Sequence, residues 1–360
     1  MIKTMEYLMD VLEILYDNPP KISGFLPRKY EITAKKTVLY GPAFSGKSFI
    51  IIDYLGKFSR KELLYIDFSD VRVDIRSLKS LQSFIDKNNI RIIVLEHFDF
   101  QCAIPEAEEV ILSSVARLEI DGFHELFVPL LDFEEFVSFN FDKKHQNIEG
   151  IFTLFEKNGT YPQMALGGTE AKQVQTILQM YAKNSFTMLK NIALFQAQIL
   201  SVHKLYELLK PNIKLSKDTI YATISRFENE YLIYFVDRFD KRGAGKKLYF
   251  ADFTLKNILT FEKDFILKFQ NIIFCELIKK TGQIFYTLTL DFYLPKHSLA
   301  ILCIPFLQPE LINRRFKKLS KELKSLGITN LQVITLGNEG KYKDEGLTCE
   351  LIPFWEWAMR

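Results

Sequence analysis

Apolar residues along the 360-residue chain follow two rhythms. Short β-prone runs at Thr37–Tyr40, Leu63–Phe68, Ile90–Leu95 and Glu109–Ser114 predict strands, and Leu126–Val128 predicts a brief fifth. The run Ile90–Leu95 is nearly continuous, as in a strand covered on both faces of a parallel sheet. Between the strands the spacing turns helical, over Ser48–Phe58 and Ser77–Lys87. Met5, Leu8, Met9, Leu12 and Leu15 predict a helix at the start of the chain, ended by Asn18-Pro19-Pro20. Strands alternating with helices predict a doubly wound α/β domain.

The rhythm changes beyond residue 146. From about Asn147 to Leu200 it is helical, interrupted once at Gly167-Gly168. Val202–Lys210 predicts a short helix, Pro211–Leu215 a turn, and Lys217–Tyr231 a second helix with Ser216 as N-cap. Leu232–Phe239 and Leu248–Phe253 then flank a basic turn, Asp240–Lys247. Helix, turn, helix and hairpin are the outline of a winged helix. The remainder mixes helix (Phe261–Lys280, Asn313–Leu326) with strand (Ile284–Thr289, Leu299–Phe306, Leu331–Leu336). The expected organisation is a nucleotide-type domain over 1–146, a helical linker or lid over 147–200, a winged helix over 201–257 and an α/β tail over 258–360.

Composition narrows the class. An apolar share of 48% and a charged share of 25% are those of an ordinary globular protein. The net charge of +3 is too small to be a nucleic-acid footprint by itself. Cys102, Cys275, Cys303 and Cys349 are scattered without a C-x-x-C pair, so neither a zinc site nor a disulfide framework is indicated. The first residues carry charges throughout and no small-residue cleavage site, and no run approaches 18 apolar residues. A cytoplasmic protein without a membrane span is expected.

The chemistry concentrates in GPAFSGKS: Gly41, Pro42, Ala43, Phe44, Ser45, Gly46, Lys47 and Ser48. This is a full match to the G-x-x-x-x-G-K-[ST] phosphate loop, with a predicted strand before it and a helix after it. Backbone N–H groups of such a loop cradle the phosphates of a nucleotide, and the helix N-terminus adds partial positive charge. Lys47 is expected on the β and γ phosphates of ATP and Ser48 on Mg²⁺. The strand ending at Leu95 leads into Glu96, a candidate for the metal shell. His97 is a candidate weak base and Asp99 a candidate assistant. Ser113, at the end of the next strand, is a candidate γ-phosphate sensor, with Ser114 beside it. Arg117 is a candidate arginine finger.

These pieces together resemble a widespread family of prokaryotic AAA-type ATP-binding proteins with an ATPase domain, a winged helix and a C-terminal PD-(D/E)xK nuclease-like domain. LEHF (Leu95–Phe98) stands where the family has hydrophobic-Asp-Glu-hydrophobic, so both acids depart from the pattern. VPLLDFEEF (Val128–Phe136), NGTYP (Asn158–Pro162), TISRFENEYLI (Thr223–Ile233), YFADFTLKN (Tyr249–Asn257) and IPFWEWA (Ile352–Ala358) resemble family segments in the same order. The resemblance implies an α/β fold class in three parts: a P-loop NTPase parallel-sheet domain, a winged-helix domain and a restriction-endonuclease-like tail. In that tail, QNIIF (Gln270–Phe274), TLDF (Thr289–Phe292) and LCIP (Leu302–Pro305) keep Asp291 alone among the family's acids. One aspartate cannot assemble a metal-dependent phosphodiesterase, so the tail reads as catalytically dead.

Basic residues raise a second class of ligand. Lys217 and Arg226 on the predicted second helix, with Lys241, Arg242, Lys246 and Lys247 in the hairpin turn, are candidates for duplex-DNA phosphates. Arg314, Arg315, Lys317, Lys318, Lys321 and Lys324 crowd a helix with one acid, Glu322. The bland counterpart is a solvated charged face, and Asp218, Glu228 and Glu230 dilute the first set. The expectation is an ATP- and Mg²⁺-binding, nucleotide-driven switch with DNA or a protein partner of the tail. The alternative is an ATP-binding scaffold that does not hydrolyse.

Overall fold

A computed structural model describes residues 11–21, 27–140, 147–167, 183–211 and 216–360. The chain divides into two units, Met1–Leu130 with Asn229–Tyr231, and Leu131–Glu228 with Leu232–Arg360.

The first unit is a five-stranded parallel sheet. Its strands are β1 (Lys36–Tyr40), β2 (Leu63–Asp67), β3 (Ile92–Glu96), β4 (Glu109–Ser114) and β5 (His124–Phe127), in spatial order β2-β3-β4-β1-β5. Every residue of β3 and β4 is buried. Side chains alternate between faces along each strand. Val38, Leu64, Ile93 and Leu112 therefore share one core with Phe84 and Ile85 of α2 (Leu81–Asn88). Leu39, Tyr65, Val94 and Ile111 share the other with Ile50 and Ile51 of α1 (Lys47–Leu55). Both faces are covered, which is why these strands carry no polar alternation. The helix expected from Ser77 begins at Leu81, because Asp74 caps a separate 3₁₀ turn over Ile75–Ser80. Residues 11–17 are helical as expected, while Met5, Leu8 and Met9 lie outside the described residues.

The second unit opens with α3 (Phe133–Asn140), α4 (Ile148–Asn158), α5 (Pro162–Ala165) and α6 (Lys183–Ala193). Next come β6 (Ile199–Leu200), α7 (Val202–Leu209), α8 (Lys217–Asn229), β7 (Ile233–Arg238), β8 (Lys246–Phe250) and α9 (Leu255–Leu259). Then follow α10 (Phe265–Lys280), β9 (Phe285–Tyr286), β10 (Phe292–Leu294), β11 (Leu299–Cys303) and α11 (Pro309–Ser325). The chain closes with β12 (Asn330–Thr335), β13 (Gly340–Asp344), β14 (Leu347–Pro353) and α12 (Phe354–Ala358). Gly168 and residues 212–215, two places where turns were expected, lie outside the described residues.

The nine strands form one mixed sheet in the order β13-β14-β12-β11-β10-β9-β7-β8-β6. The antiparallel β7–β8 hairpin joins it through Asp237↔Phe285 and Arg238↔Tyr286. The hairpin is thus an interior part of a larger sheet, a pairing with no local sequence signature. Three smaller differences have local causes. Lys246 and Lys247 begin β8 instead of lying in the preceding turn. Asp264 accepts the Leu267 N–H at 3.0 Å, so α10 starts at Phe265 and not Phe261. The Thr287 hydroxyl accepts the Leu290 N–H at 3.0 Å, turning the chain after two residues of β9.

An aromatic core holds this unit together. Phe133, Phe136, Phe152 and Phe155 of α3 and α4 pack with Phe253, Phe269 and Phe354, all buried. The segments NGTYP and YFADFTLKN meet beside it. Buried Asp252 accepts the Thr160 N–H at 2.6 Å, the Thr160 hydroxyl at 2.9 Å and the Thr254 N–H at 2.7 Å. A Cβ at Gly159, whose φ is +79°, would lie 2.4 Å from that carboxylate, so glycine is required there on both counts. Among the described residues no helix is long and apolar enough to cross a membrane.

Candidate nucleotide-binding site

The phosphate loop leaves the C-terminal end of β1, between β4 and β5, and opens α1. Gly41 has φ +137°, and a Cβ there would lie 2.4 Å from the Val128 carbonyl oxygen. Gly46 has φ +92° and is the N-cap of α1. Both positions need glycine. Phe44 holds φ +59° with a bulky side chain half exposed, an uncommon backbone state for such a residue. Backbone bonds fix the curve: Gly41 N–H to the Val115 carbonyl at 3.2 Å and Ser45 N–H to that of Pro42 at 3.3 Å.

Lys47 is buried, and its ammonium donates to the Gly41 carbonyl at 2.9 Å and the Pro42 carbonyl at 2.8 Å. Burial lowers its pKa to about 8, with Glu96 opposing the shift and Arg28 adding to it. The Ser48 hydroxyl hydrogen-bonds Glu96, which is buried at the end of β3. Buried Ser113 of β4 accepts the His97 N–H through its hydroxyl at 3.4 Å and the Phe98 N–H through its carbonyl at 2.8 Å. Lys47, Ser48, Glu96, His97 and Ser113 therefore gather at the C-terminal ends of β1, β3 and β4, where open parallel sheets present their ligand sites. Asp99 is exposed, and its side chain makes no hydrogen bond to that group among the described residues. Arg117 pairs with Glu125 at 2.7 Å.

Two residues of this cluster escaped the sequence reading. Asp67 ends β2 and stands in register with Glu96, so parallel pairing brings it to the site. Its carboxylate lies 2.7 Å from His97 Nδ1. That hydrogen bond raises the His97 pKa against the opposing pull of burial. Burial pushes Asp67 up, but its bonds to His97 and Ser69 outweigh this and leave it low. Oxygens of Asp67 and Glu96 and a ring nitrogen of His97 lie within 4.8 Å of one another. With the Ser48 hydroxyl, this donor set is rich in hard oxygens and fits Mg²⁺. The signal available in the sequence was that LLYID, like IIVLE, is a strand ending in an acid. Arg28 is the second. It is buried, hydrogen-bonds the Ser45 carbonyl of the loop, and donates to the Pro129 carbonyl at 3.0 Å. A single arginine ahead of β1 has no spacing that marks it.

The candidate DNA residues are arranged differently. Lys217 and Arg226 of α8 are exposed, lying over the rings of Tyr206 at 5.3 Å and Phe227 at 5.6 Å. Lys241 and Arg242 are exposed in the hairpin turn. Lys246 pairs with Asp237 at 3.1 Å. Lys247 is drawn inward, 5.0 Å over the Tyr286 ring and 4.0 Å from Asp291.

No family model matches the chain. The uncharacterized protein MJ1544 of Methanocaldococcus jannaschii is 25% identical over 422 residues, covering 98% of this chain and 94% of that protein. Among solved structures, the Walker-type ATPase PABY2304 of Pyrococcus abyssi is similar at 12% identity and a TM-score of 0.41, covering 71% of this chain and 94% of that one. The Aeropyrum pernix ORC1 protein, solved in complex with DNA, is similar at 14% identity and a TM-score of 0.31, covering 71% and 92%. Both scores are low, so the functional reading rests on the geometry of the site.

Proposed function

We propose that this protein is an ATP- and Mg²⁺-binding P-loop ATPase of the AAA type that works as a nucleotide-driven switch. The observation that carries the reading is the buried Lys47 ammonium, held by two loop carbonyls beside the Ser48–Glu96 pair. A buried ammonium with a depressed pKa gains most from an anionic partner, and triphosphate oxygens would replace the carbonyls of Gly41 and Pro42. The loop from Gly41 to Ser48 would cradle the phosphates, and Ser48, Glu96 and Asp67 would hold Mg²⁺. Bound Mg-ATP supplies the phosphoanhydride. The chain's own part is to position it, hold charge against it and orient water through His97 and Ser113.

In this reading residues 147–200 form a lid, 201–257 a winged helix and 258–360 a degenerate nuclease-like tail, in a cytoplasmic protein. Lys217, Arg226, Lys241 and Arg242 contact duplex-DNA phosphates, and the tail receives a protein partner. Lys246 and Lys247, tied to Asp237 and Asp291, contribute less.

One observation favours a second reading, ATP binding without turnover. Asp67 holds His97 toward its cationic form, which has no lone pair with which to take a proton from water. Equilibrium binding of a fluorescent ATP analogue with Mg²⁺ tests the shared premise of both readings. Saturable binding lost in Lys47→Ala supports it, and equal binding by the two proteins contradicts it.

A further inference from the structure

The outer face of α11 carries a run of exposed cations. The helix buries Ile312, Phe316, Leu319 and Leu323 against the sheet. Arg314, Arg315, Lys317, Lys318 and Lys321 are all exposed. None of the five makes a side-chain hydrogen bond or an ion pair within 4.0 Å among the described residues. Lys324 differs, being paired with Glu345. Two acids lie on the helix, exposed Glu310 in the first turn and Glu322, which accepts the hydroxyls of Thr287 at 3.1 Å and Thr289 at 2.6 Å, and the cations outnumber them. From position 314 to 321 the helix rises about 10 Å, so the positive charge is dense and linear.

A second, independent feature adjoins the start of this helix. Phe306, three residues before α11, is 71% exposed, and Leu311 in the first turn is 42% exposed. The Phe306 ring is backed by Phe265, with centroids 5.2 Å apart and planes inclined by 34°. A ring backed on one side and open on the other offers a π-face on which a flat partner can stack. A DNA duplex hides its bases in the stack and offers such a ring nothing to pair with. An unpaired strand offers both bases for stacking and phosphates for the cations.

We infer that α11 and Phe306 form a binding surface for single-stranded nucleic acid, in which Phe306 stacks on a base and Arg314, Arg315 and Lys318 follow the phosphate backbone. Stacking and phosphate contacts are shared by all bases, so recognition through them is tolerant of sequence. Its occupancy is read by oligonucleotide binding itself, and succeeds or fails independently of ATP turnover.

The test is a fluorescence-anisotropy titration of the full chain. The probe is a labelled mixed-sequence DNA strand of about 15 nucleotides, alone and annealed to its complement, at several salt concentrations. Saturable, salt-dependent binding of the single strand is expected. Phe306→Ala weakens single-strand binding about tenfold and leaves duplex binding unchanged. The triple variant Arg314→Gln, Arg315→Gln, Lys318→Gln lowers the slope of log affinity against log salt by about 2, at roughly 0.7 per cation. These side chains are exposed, and unchanged circular dichroism and melting verify that the variants fold. Single-strand binding that Phe306→Ala leaves unchanged, a loss of duplex binding in Phe306→Ala equal to its loss of single-strand binding, or an unchanged salt slope in the triple variant would each overturn the inference.

Discussion

Glu96 in the first unit and Asp291 in the second both stand at one end of a strand among buried neighbours, yet their surroundings differ in kind. Glu96 faces a set: the Ser48 hydroxyl, the Asp67 carboxylate, the His97 ring and the Lys47 ammonium. Asp291 is alone and fully engaged. Its Oδ1 accepts from the Gln270 amide at 3.0 Å with Lys247 at 4.0 Å, and its Oδ2 accepts the Cys303 N–H at 2.8 Å. Burial pushes its pKa up, as expected for a carboxyl with no metal-binding companion. A strand-end acid therefore signals chemistry only when neighbouring strands deliver partners to it. Asp67 arrives through parallel register, whereas amide and thiol groups at Gln270 and Cys303 stand beside Asp291.

The contrast breaks most severely at Lys47. Lys47→Ala should lower ATP turnover about 1,000-fold by removing the charge that meets the developing phosphoryl charge, measurable as phosphate release. A third carboxylate sharpens the comparison. Glu276 accepts the Phe133 N–H at 3.0 Å, and its burial raises its pKa from 4.5 to about 7 despite Lys279. The folded protein keeps this proton up to about pH 7, while the unfolded chain loses it near 4.5. Its contribution to stability is complete below pH 4.5 and declines as pH rises through 7, by about 3 kcal/mol in all. Urea unfolding across that range should show the decline in the wild type and lose it in Glu276→Gln.

Smaller effects are expected at the Asp67–His97 pair. His97→Gln and Asp67→Asn should each reduce turnover about 10- to 100-fold while nucleotide binding persists. The double variant should lose little more than either single one, because the two residues act together. Least of all is expected at Asp291. Asp291→Asn should change stability by less than about 1 kcal/mol, since the amide oxygen still accepts a hydrogen bond. Neither wild type nor variant should nick plasmid DNA with Mg²⁺, as read on a gel.

Much of the first unit was legible because its determinants are local. The eight residues Gly41–Ser48 prescribe a loop that two positive-φ glycines can adopt, and β3 announces its double burial by composition alone. Glu96, His97 and Ser113 follow from strand ends. Asp67 and Arg28 were missed because one depends on register and the other on a contact 17 residues away in sequence. The second unit hid more. The parallel pairing of β7 with β9 and the β13–β14 hairpin are non-local or masked by lysines. The meeting of Gly159 with Asp252 spans two segments that sequence order alone could not bring together.

Phosphate release from Mg-ATP by purified wild type, with Lys47→Ala in parallel, tests the central claim most directly. The account predicts steady turnover that disappears in Lys47→Ala. Turnover equal in the two proteins would contradict it, since the buried ammonium would then have no part in handling phosphate.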